Sequence, residues 1–385
     1  MTDKLYYSDS YLDRFVGRVI SCDHADGRYA VVLDRSAFFP EEGGQYADRG
    51  TLGGLAVLDV QERGGVIYHY TDGPLEVGRE VEGILDFDRR FENMQCHTAE
   101  HILCGIIHRR FGLDNVGFHL GEDVVTFDIN GVLSYEELNS VEDEANAVVF
   151  RDLPVVASFP SAEELASMAY RAKLELSDGV RIVTVGDVDA CACCAPHVSS
   201  TGQIGIIKCL DAVSPKGGMR IIMLAGRRAL LDYRARYERE KRISALTSTP
   251  QAQSVSAVEK LLSDLDSARA ALSQAGAYTA RALSLSVAPT EGNAVILTPL
   301  WDMDSLRLFA NLAVGRVGGL LVALMGVDGD YKYVIASNGI AVNQRIKEIN
   351  TVLNGKGGGR PEMVQGGFKA TLGEIQSYFD SPSFR

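Results

Sequence analysis

At 385 residues the chain exceeds what one hydrophobic core usually holds, so two or three domains are expected. A net charge of −13 argues against indiscriminate nucleic-acid binding, which a basic surface drives, and leaves room only for a local basic groove. No run of about eighteen uncharged apolar residues occurs, so no membrane span is expected.

Residues 1–88 are rich in Val, Tyr, Leu and Gly, with turn signals at Asp26-Gly27 and Asp72-Gly73-Pro74. Short strands are predicted at 29–33, 55–60 and 66–70, giving a small N-terminal β-barrel-like domain. Residues 89–228 read as an α+β domain. It holds a helix over about 93–111, a strand at 124–129, a helix at 134–150, and strands at 155–158, 181–185, 202–209 and 219–224. Residues 229–285 read as a helical linker or coiled-coil arm, broken at Pro250, where Ser248 and Thr249 supply a cap signal. Val255, Val258, Leu262, Leu265 and Leu272 fall on a heptad seam interrupted by Arg269, which suits a hairpin or a dimer contact. Residues 286–385 alternate strands (294–297, 319–325, 331–337) with helices (305–314, 341–353), a small C-terminal α/β domain with a flexible glycine-rich run at 357–359. Its single tryptophan, Trp301, is read as core. The fold class expected is therefore a multi-domain α+β protein.

Two short segments concentrate the chemistry. His97 and His101 stand four residues apart, so a helix over 93–111 projects both imidazoles from one face. Cys193 and His197 repeat that separation in Cys193-Cys194-Ala195-Pro196-His197, a turn or loop. Three imidazoles and a thiolate make a tetrahedral zinc set that Mg²⁺ or Ca²⁺ does not favour. Cys191 and Cys194 are competing thiols. Seven cysteines, an odd number, clustered with histidine, point to metal binding in a reducing compartment, not to a disulfide framework. The start, Met1-Thr2-Asp3-Lys4-Leu5, lacks the basic-then-apolar pattern of a secretory leader, so a cytoplasmic location is expected.

The run His97-Thr98-Ala99-Glu100-His101, then Cys193 to Val198 and Thr201-Gly202-Gln203-Ile204-Gly205, resembles the editing domain of alanyl-tRNA synthetases and their freestanding relatives, the alanyl-tRNA editing proteins. Phe39-Pro40-Glu41-Glu42-Gly43-Gly44-Gln45 with Asp48-Arg49-Gly50 is similar to the family's glycine-rich loop. Asp86 to Arg90 and Arg220-Ile221 fall where the family has similar residues. Gly357-Gly358-Gly359-Arg360-Pro361 with Gln365-Gly366-Gly367 looks like the synthetases' C-terminal domain. The family usually has two glycines and a threonine where this chain has Cys194, Ala195 and Pro196; Cys193 is the expected ligand because its spacing to His197 matches the motif.

The resemblance implies a freestanding hydrolase of mischarged alanine tRNA, carrying serine or glycine, with one zinc per chain on His97, His101, Cys193 and His197. No segment ahead of the β-rich part is sized for a charging domain, so ATP-dependent aminoacylation is not expected. Gln45 is a candidate for contacting substrate, with Gly43 and Gly44 allowing close backbone approach and amides for an oxyanion. Glu100, about 60° from His97 around the helix, is a candidate base or acceptor for an imidazole N–H. Thr98 and His119 are candidate pocket residues, and Arg220, Lys356 and Arg360 candidate tRNA contacts. Arg89, Arg90, Arg109, Arg110, Lys208 and Lys216 near the metal motifs, and the basic run from Arg227 to Arg242, are either solvated faces or phosphate contacts. Four protein ligands favour a closed zinc, unless one exchanges when substrate arrives. A homodimer through the arm or C-terminal domain is a coexisting expectation. Two other readings stay open: a zinc hydrolase of the same fold on another ester or amide, and a tRNA-binding protein with structural zinc.

Overall fold

The computed structural model describes residues 1–25, 27–172, 179–214 and 217–381. Asp26 of the first turn signal and Lys216 of the basic set lie outside them. The chain divides into two units, Met1–Arg239 and Glu240–Arg385, the boundary falling inside the helix Gly226–Thr247.

In the first unit a closed barrel runs through Arg14–Ala25, Arg28–Leu33, Val66–Thr71, Leu55–Arg63, Gly50–Leu52 and Glu80–Leu85. Alternation is visible in Val66–Thr71, where Ile67, His69 and Thr71 point inward and are buried while their neighbours are half-buried. The barrel core is apolar, built on Val31, Leu33, Phe38, Phe39, Leu52 and Ile67.

Asp86 then caps the helix Phe87–Phe111, its side chain accepting from the Arg89 N–H at 3.2 Å. Gly112 ends that helix in the left-handed region at φ 67°. From Asn93 to Ile107 every residue is buried, because the helix is covered on all sides by other elements. Around it lie a four-stranded sheet in the order Ile207–Val213, Met219–Ala225, Val125–Ile129, Asn115–Leu120, and a three-stranded sheet in the order Val155–Ser158, Ile182–Val185, Asp189–Ala192. The predicted strand at 202–209 is a correction: Thr201–Ile204 is a 3₁₀ turn, Gly205 at φ 83° reverses the chain, and the strand begins at Ile207.

A buried ion pair fastens the barrel to this helix. Arg90 is fully buried; its Nε lies 3.0 Å from both oxygens of Asp48, and its Nη atoms donate to the carbonyls of Ser10 and Ala37. Asp48 in turn accepts from the Phe39 N–H at 2.6 Å. The loop that carries Gly43, Gly44 and Gln45 is thereby held at both ends.

The second unit carries the helix Ser254–Ser286 and a five-stranded sheet in the order Ala294–Leu297, Leu321–Val327, Asp330–Ala336, Met363–Phe368, Gly355–Arg360. Its first pair is parallel and the others antiparallel. Period-two alternation feeds two cores: Val322 and Leu324 face Val342, Ile346 and Ile375, while Leu321 and Ala323 face Phe309 and Ala280. The glycine run expected to be flexible is instead the edge strand Gly355–Arg360, paired along its length with Met363–Phe368. Glycine is required there because a Cβ on Gly357 would meet the Tyr333 hydroxyl at 2.3 Å, and one on Gly366 would meet it at 2.6 Å. Trp301 is 44% exposed, so it is not core; it precedes Asp302, the cap of the helix Met303–Ala313. The heptad residues Val255, Val258, Leu262, Leu265 and Leu272 are all exposed.

Candidate metal centre

The i, i+4 spacing does on the helix what it promises: the His97 and His101 rings lie 5.4 Å apart, facing His197 at 4.8 and 4.6 Å. The segment after the strand Asp189–Ala192 delivers Cys193 and His197 to the same point. One ligand atom from each of His97, His101, Cys193 and His197 falls within 4.8 Å of all the others. Cys193 Sγ lies 3.6 Å from His97 Nε2 and 3.3 Å from His197 Nε2. A zinc tetrahedron with N at about 2.0–2.1 Å and S at about 2.3 Å has an N···S edge of about 3.6 Å, so the spacing fits the ion.

The other ring nitrogens decide the tautomers. His97 Nδ1 meets Gln45 Oε1 at 2.9 Å, His197 Nδ1 meets Thr98 Oγ1 at 3.0 Å, and His101 Nδ1 lies 3.2 Å from Asp189 Oδ2. Gln45 Oε1 and Asp189 accept only, and Thr98 spends its own proton on the Met94 carbonyl at 2.7 Å. His97 and His197 are therefore protonated on Nδ1 and present a bare Nε2 inward, the arrangement a metal site needs, while the approach of His101 Nδ1 to Asp189 is an ion-pair contact and not a hydrogen bond. Asp189 is itself held by Arg171 through two contacts of 2.7 and 2.8 Å.

Electrostatics separates the three sulfurs. Burial raises the Cys193 thiol, yet His97 and His197 outweigh it and hold the group well below the usual thiol range. Burial pushes the Cys191 and Cys194 thiols up. Burial also pushes His197 down to about 3, keeping it a neutral donor. Cys191 joins His101 and Asp189 in a second close group, but there Asp189 is already engaged by Arg171.

A cavity of about 640 Å³ opens over the cluster, bordered by Gly43, His97, Glu100, His101, Asn115 and Phe118 among others. Phe118 packs on His97 with ring centroids 4.6 Å apart. The loop reaches this wall through Gly44, whose carbonyl accepts from the Leu120 N–H at 2.7 Å. Gly44 has φ 83°, and a Cβ there would sit 2.2 Å from the Phe118 carbonyl, so the approach requires glycine.

Two family models match the chain: the threonyl and alanyl tRNA synthetase second additional domain over residues 180–222, and the DHHA1 domain over residues 291–380. The first covers the Cys193 and His197 segment. Over nearly its whole length (97%) the chain is 30% identical to alanyl-tRNA editing protein AlaX-L of Pyrococcus horikoshii, matching 96% of that protein. The chain belongs to the alanyl-tRNA editing protein family. It is also 30% identical to alanyl-tRNA editing protein Aarsd1 of Mus musculus, over 94% of this chain and 93% of that one. Alanine–tRNA ligase of Halorubrum lacusprofundi is 31% identical over 95% of this chain, which spans 42% of the ligase.

In this editing-family chain the other sequence candidates are spread out. Gln45 is fully buried behind His97, with its Nε2 unpartnered among the described residues, so it supports the imidazole and does not face the cavity. Thr98 is likewise buried and braces His197. Glu100 reaches the cavity wall and is nearly fully buried. His119 packs against Tyr46 and borders a separate cavity with Arg49, Arg89 and Glu122. Arg220 forms a two-point pair with Asp128, at 2.7 and 2.8 Å, across neighbouring strands. Arg227 and Arg228 are held by Glu92. Lys356 and Arg360 lie on the glycine-rich edge strand of the second unit. Sequence reasoning passed over Asp189, Arg171, Asn115 and Phe118, which no local motif marks.

Proposed function

We propose that the protein hydrolyses the ester joining a wrong amino acid to alanine tRNA, acting on seryl- and glycyl-tRNA, with one zinc held per chain by His97, His101, Cys193 and His197. The observation that carries this reading is the convergence of three imidazoles and one thiol, from His97, His101, His197 and Cys193, at a cavity in a chain of the alanyl-tRNA editing family. An alanine-charging site cannot exclude glycine by size or serine strongly by its hydroxyl, so a second sieve has a physical purpose.

Zinc held by His97, His101, Cys193 and His197 would supply Lewis acidity or positive charge beside the ester. Gln45 and Thr98 hold His97 and His197 in the metal-binding tautomer, and Asp189 sets its charge beside His101. Gly43 borders the cavity, and the Gly43 and Gly44 N–H groups point to a role as oxyanion donors. The 1–88 and 89–228 domains carry the chemistry in this reading. The arm (229–285) and the C-terminal domain (286–385) hold tRNA through Lys356 and Arg360 or join two copies, and the protein acts in the cytoplasm.

Deacylation of seryl- and alanyl-charged alanine tRNA by the purified protein tests the reading. Seryl-tRNA should be cleaved many times faster. Equal rates would remove the editing reading, and no cleavage of either would remove the hydrolase.

A further inference from the structure

The cavity above the metal cluster holds an acidic group that the metal ligands do not use. Glu100 is 4% exposed and sits on the cavity wall. Its Oε1 accepts from the Cys104 thiol at 3.1 Å and from the Asn115 side-chain amide. Both donors are neutral; burial keeps the Cys104 thiol protonated. Its Oε2 is directed to the other side, 4.0 Å from His101 Nε2. The other carboxylates nearby are matched: Asp189 by Arg171 and Asp114 by His108 at 2.9 Å. Glu100 has no arginine or lysine partner among the described residues. Zinc held on His101 Nε2 would be the nearest positive charge, but Glu100 Oε2 has no side-chain donor of its own among the described residues and is open to a donor that arrives with the ligand.

An aminoacyl ester brings such a group. Its α-ammonium lies two bonds, about 2.5 Å, from the ester carbonyl carbon. A carbonyl placed at the His97, His101, Cys193 and His197 cluster therefore carries its ammonium into reach of Glu100 Oε2. We infer that Glu100, aimed by Asn115 and Cys104, is the receptor for the free α-ammonium of the substrate, so that the pocket takes aminoacyl esters and refuses N-acylated ones such as peptidyl- or N-acetylaminoacyl-tRNA. The inference rests on the deacylase reading above and adds the substrate class that the same cavity selects. A side chain acting as general base for water makes no such distinction, because both ester types need the same water.

The test uses the metal-loaded full chain and two non-hydrolysable probes, 3′-(L-seryl)amino-3′-deoxyadenosine and its N-acetyl derivative, with calorimetric binding alongside deacylation of seryl- and N-acetylseryl-tRNA. The wild-type protein should bind the free amine about 10- to 100-fold more tightly, the range for a hydrogen bond to a charged group. Glu100→Gln should lose that advantage, leave N-acetyl binding unchanged, and keep its zinc as measured by elemental analysis. Equal binding of the two probes by the wild type would overturn the inference, whatever the variant does. So would a Glu100→Gln loss that falls equally on both probes and both esters, the signature of a general base or a structural role. If seryl-tRNA is cleaved but N-acetylseryl-tRNA is cleaved as fast, this inference fails and the deacylase stands; if neither is cleaved, both fall.

Discussion

Replacing Arg90 by methionine removes the guanidinium that joins the barrel to the histidine helix while keeping a similar apolar stem. Asp48, 1% exposed, then keeps only the Phe39 N–H, and the Ser10 and Ala37 carbonyls lose their donor. Removing one member of a buried ion pair costs about 3–5 kcal/mol, because the remaining charge stays buried. For a unit the size of Met1–Arg239, each kcal/mol moves the midpoint by about 2–4 °C, so Arg90→Met should lower Tm by about 6–20 °C. The loop between Phe39 and Asp48 carries Gln45, so zinc retention against a chelator should weaken in parallel. Calorimetry and elemental analysis read the two effects. Adding Asp48→Leu should recover only part of the loss, since the Phe39 N–H and both carbonyls remain unpaired at about 1–3 kcal/mol each when fully buried. A single-variant cost below about 1 kcal/mol, or intact zinc retention despite the full loss, would refute this account of the loop.

Cys193→Ala should abolish zinc retention, while Cys191→Ala and Cys194→Ala should keep it, as elemental analysis of reduced protein would report; zinc lost from all three alike would contradict the sulfur assignment. His69 is fully buried between the Ser36 hydroxyl and the Val31 carbonyl, and burial lowers it to about 4. Its folded pKa lies below the unfolded value of about 6.5, so the unfolded chain takes up the proton first. The stability contribution is complete above pH 6.5 and falls as pH drops towards 4, by about 3 kcal/mol at that point. Urea unfolding at pH 7 and pH 4 should show a fall in stability about 3 kcal/mol larger in the wild type than in His69→Gln; identical pH dependence in the two proteins would exclude it. Lys356→Ala with Arg360→Ala should weaken tRNA binding mainly at low salt and flatten the slope of log affinity on log salt. An unchanged slope would take these two residues out of the tRNA contact.

The pairing of His97 and His101 was legible because helical periodicity is local: residues four apart share a face wherever the helix goes. Its start was not: the helix was expected from about residue 93, but Asp86 caps it so that it begins at Phe87, and Gly112 ends it in the left-handed region. Turn chemistry marked Pro250, where the helix Gly226–Thr247 ends before Ser254–Ser286 begins. The spacing of the family motif favours Cys193 over Cys191 and Cys194, and it is the Cys193 sulfur that stands with the three imidazoles.

Tertiary structure decided which residues stand behind the ligands. Gln45, Thr98 and Asp189 each meet a different imidazole, and all three are far from their partners in the chain, so no spacing rule connects them. The glycines at 357–359 read as flexible because sequence shows only the missing side chains; the packed Tyr333 hydroxyl and the paired strand show what the missing atoms make room for. Trp301 read as core because large aromatics usually are, yet its place beside a helix cap leaves it half in solvent. Glu100 follows the same logic: periodicity places its Cα, but its carboxylate is aimed by Cys104, on the same helix, and by Asn115, which lies on another element. Local rules set where each backbone position points. Long-range packing sets which groups meet there, because burial and hydrogen-bond partners belong to the whole fold and not to any one segment.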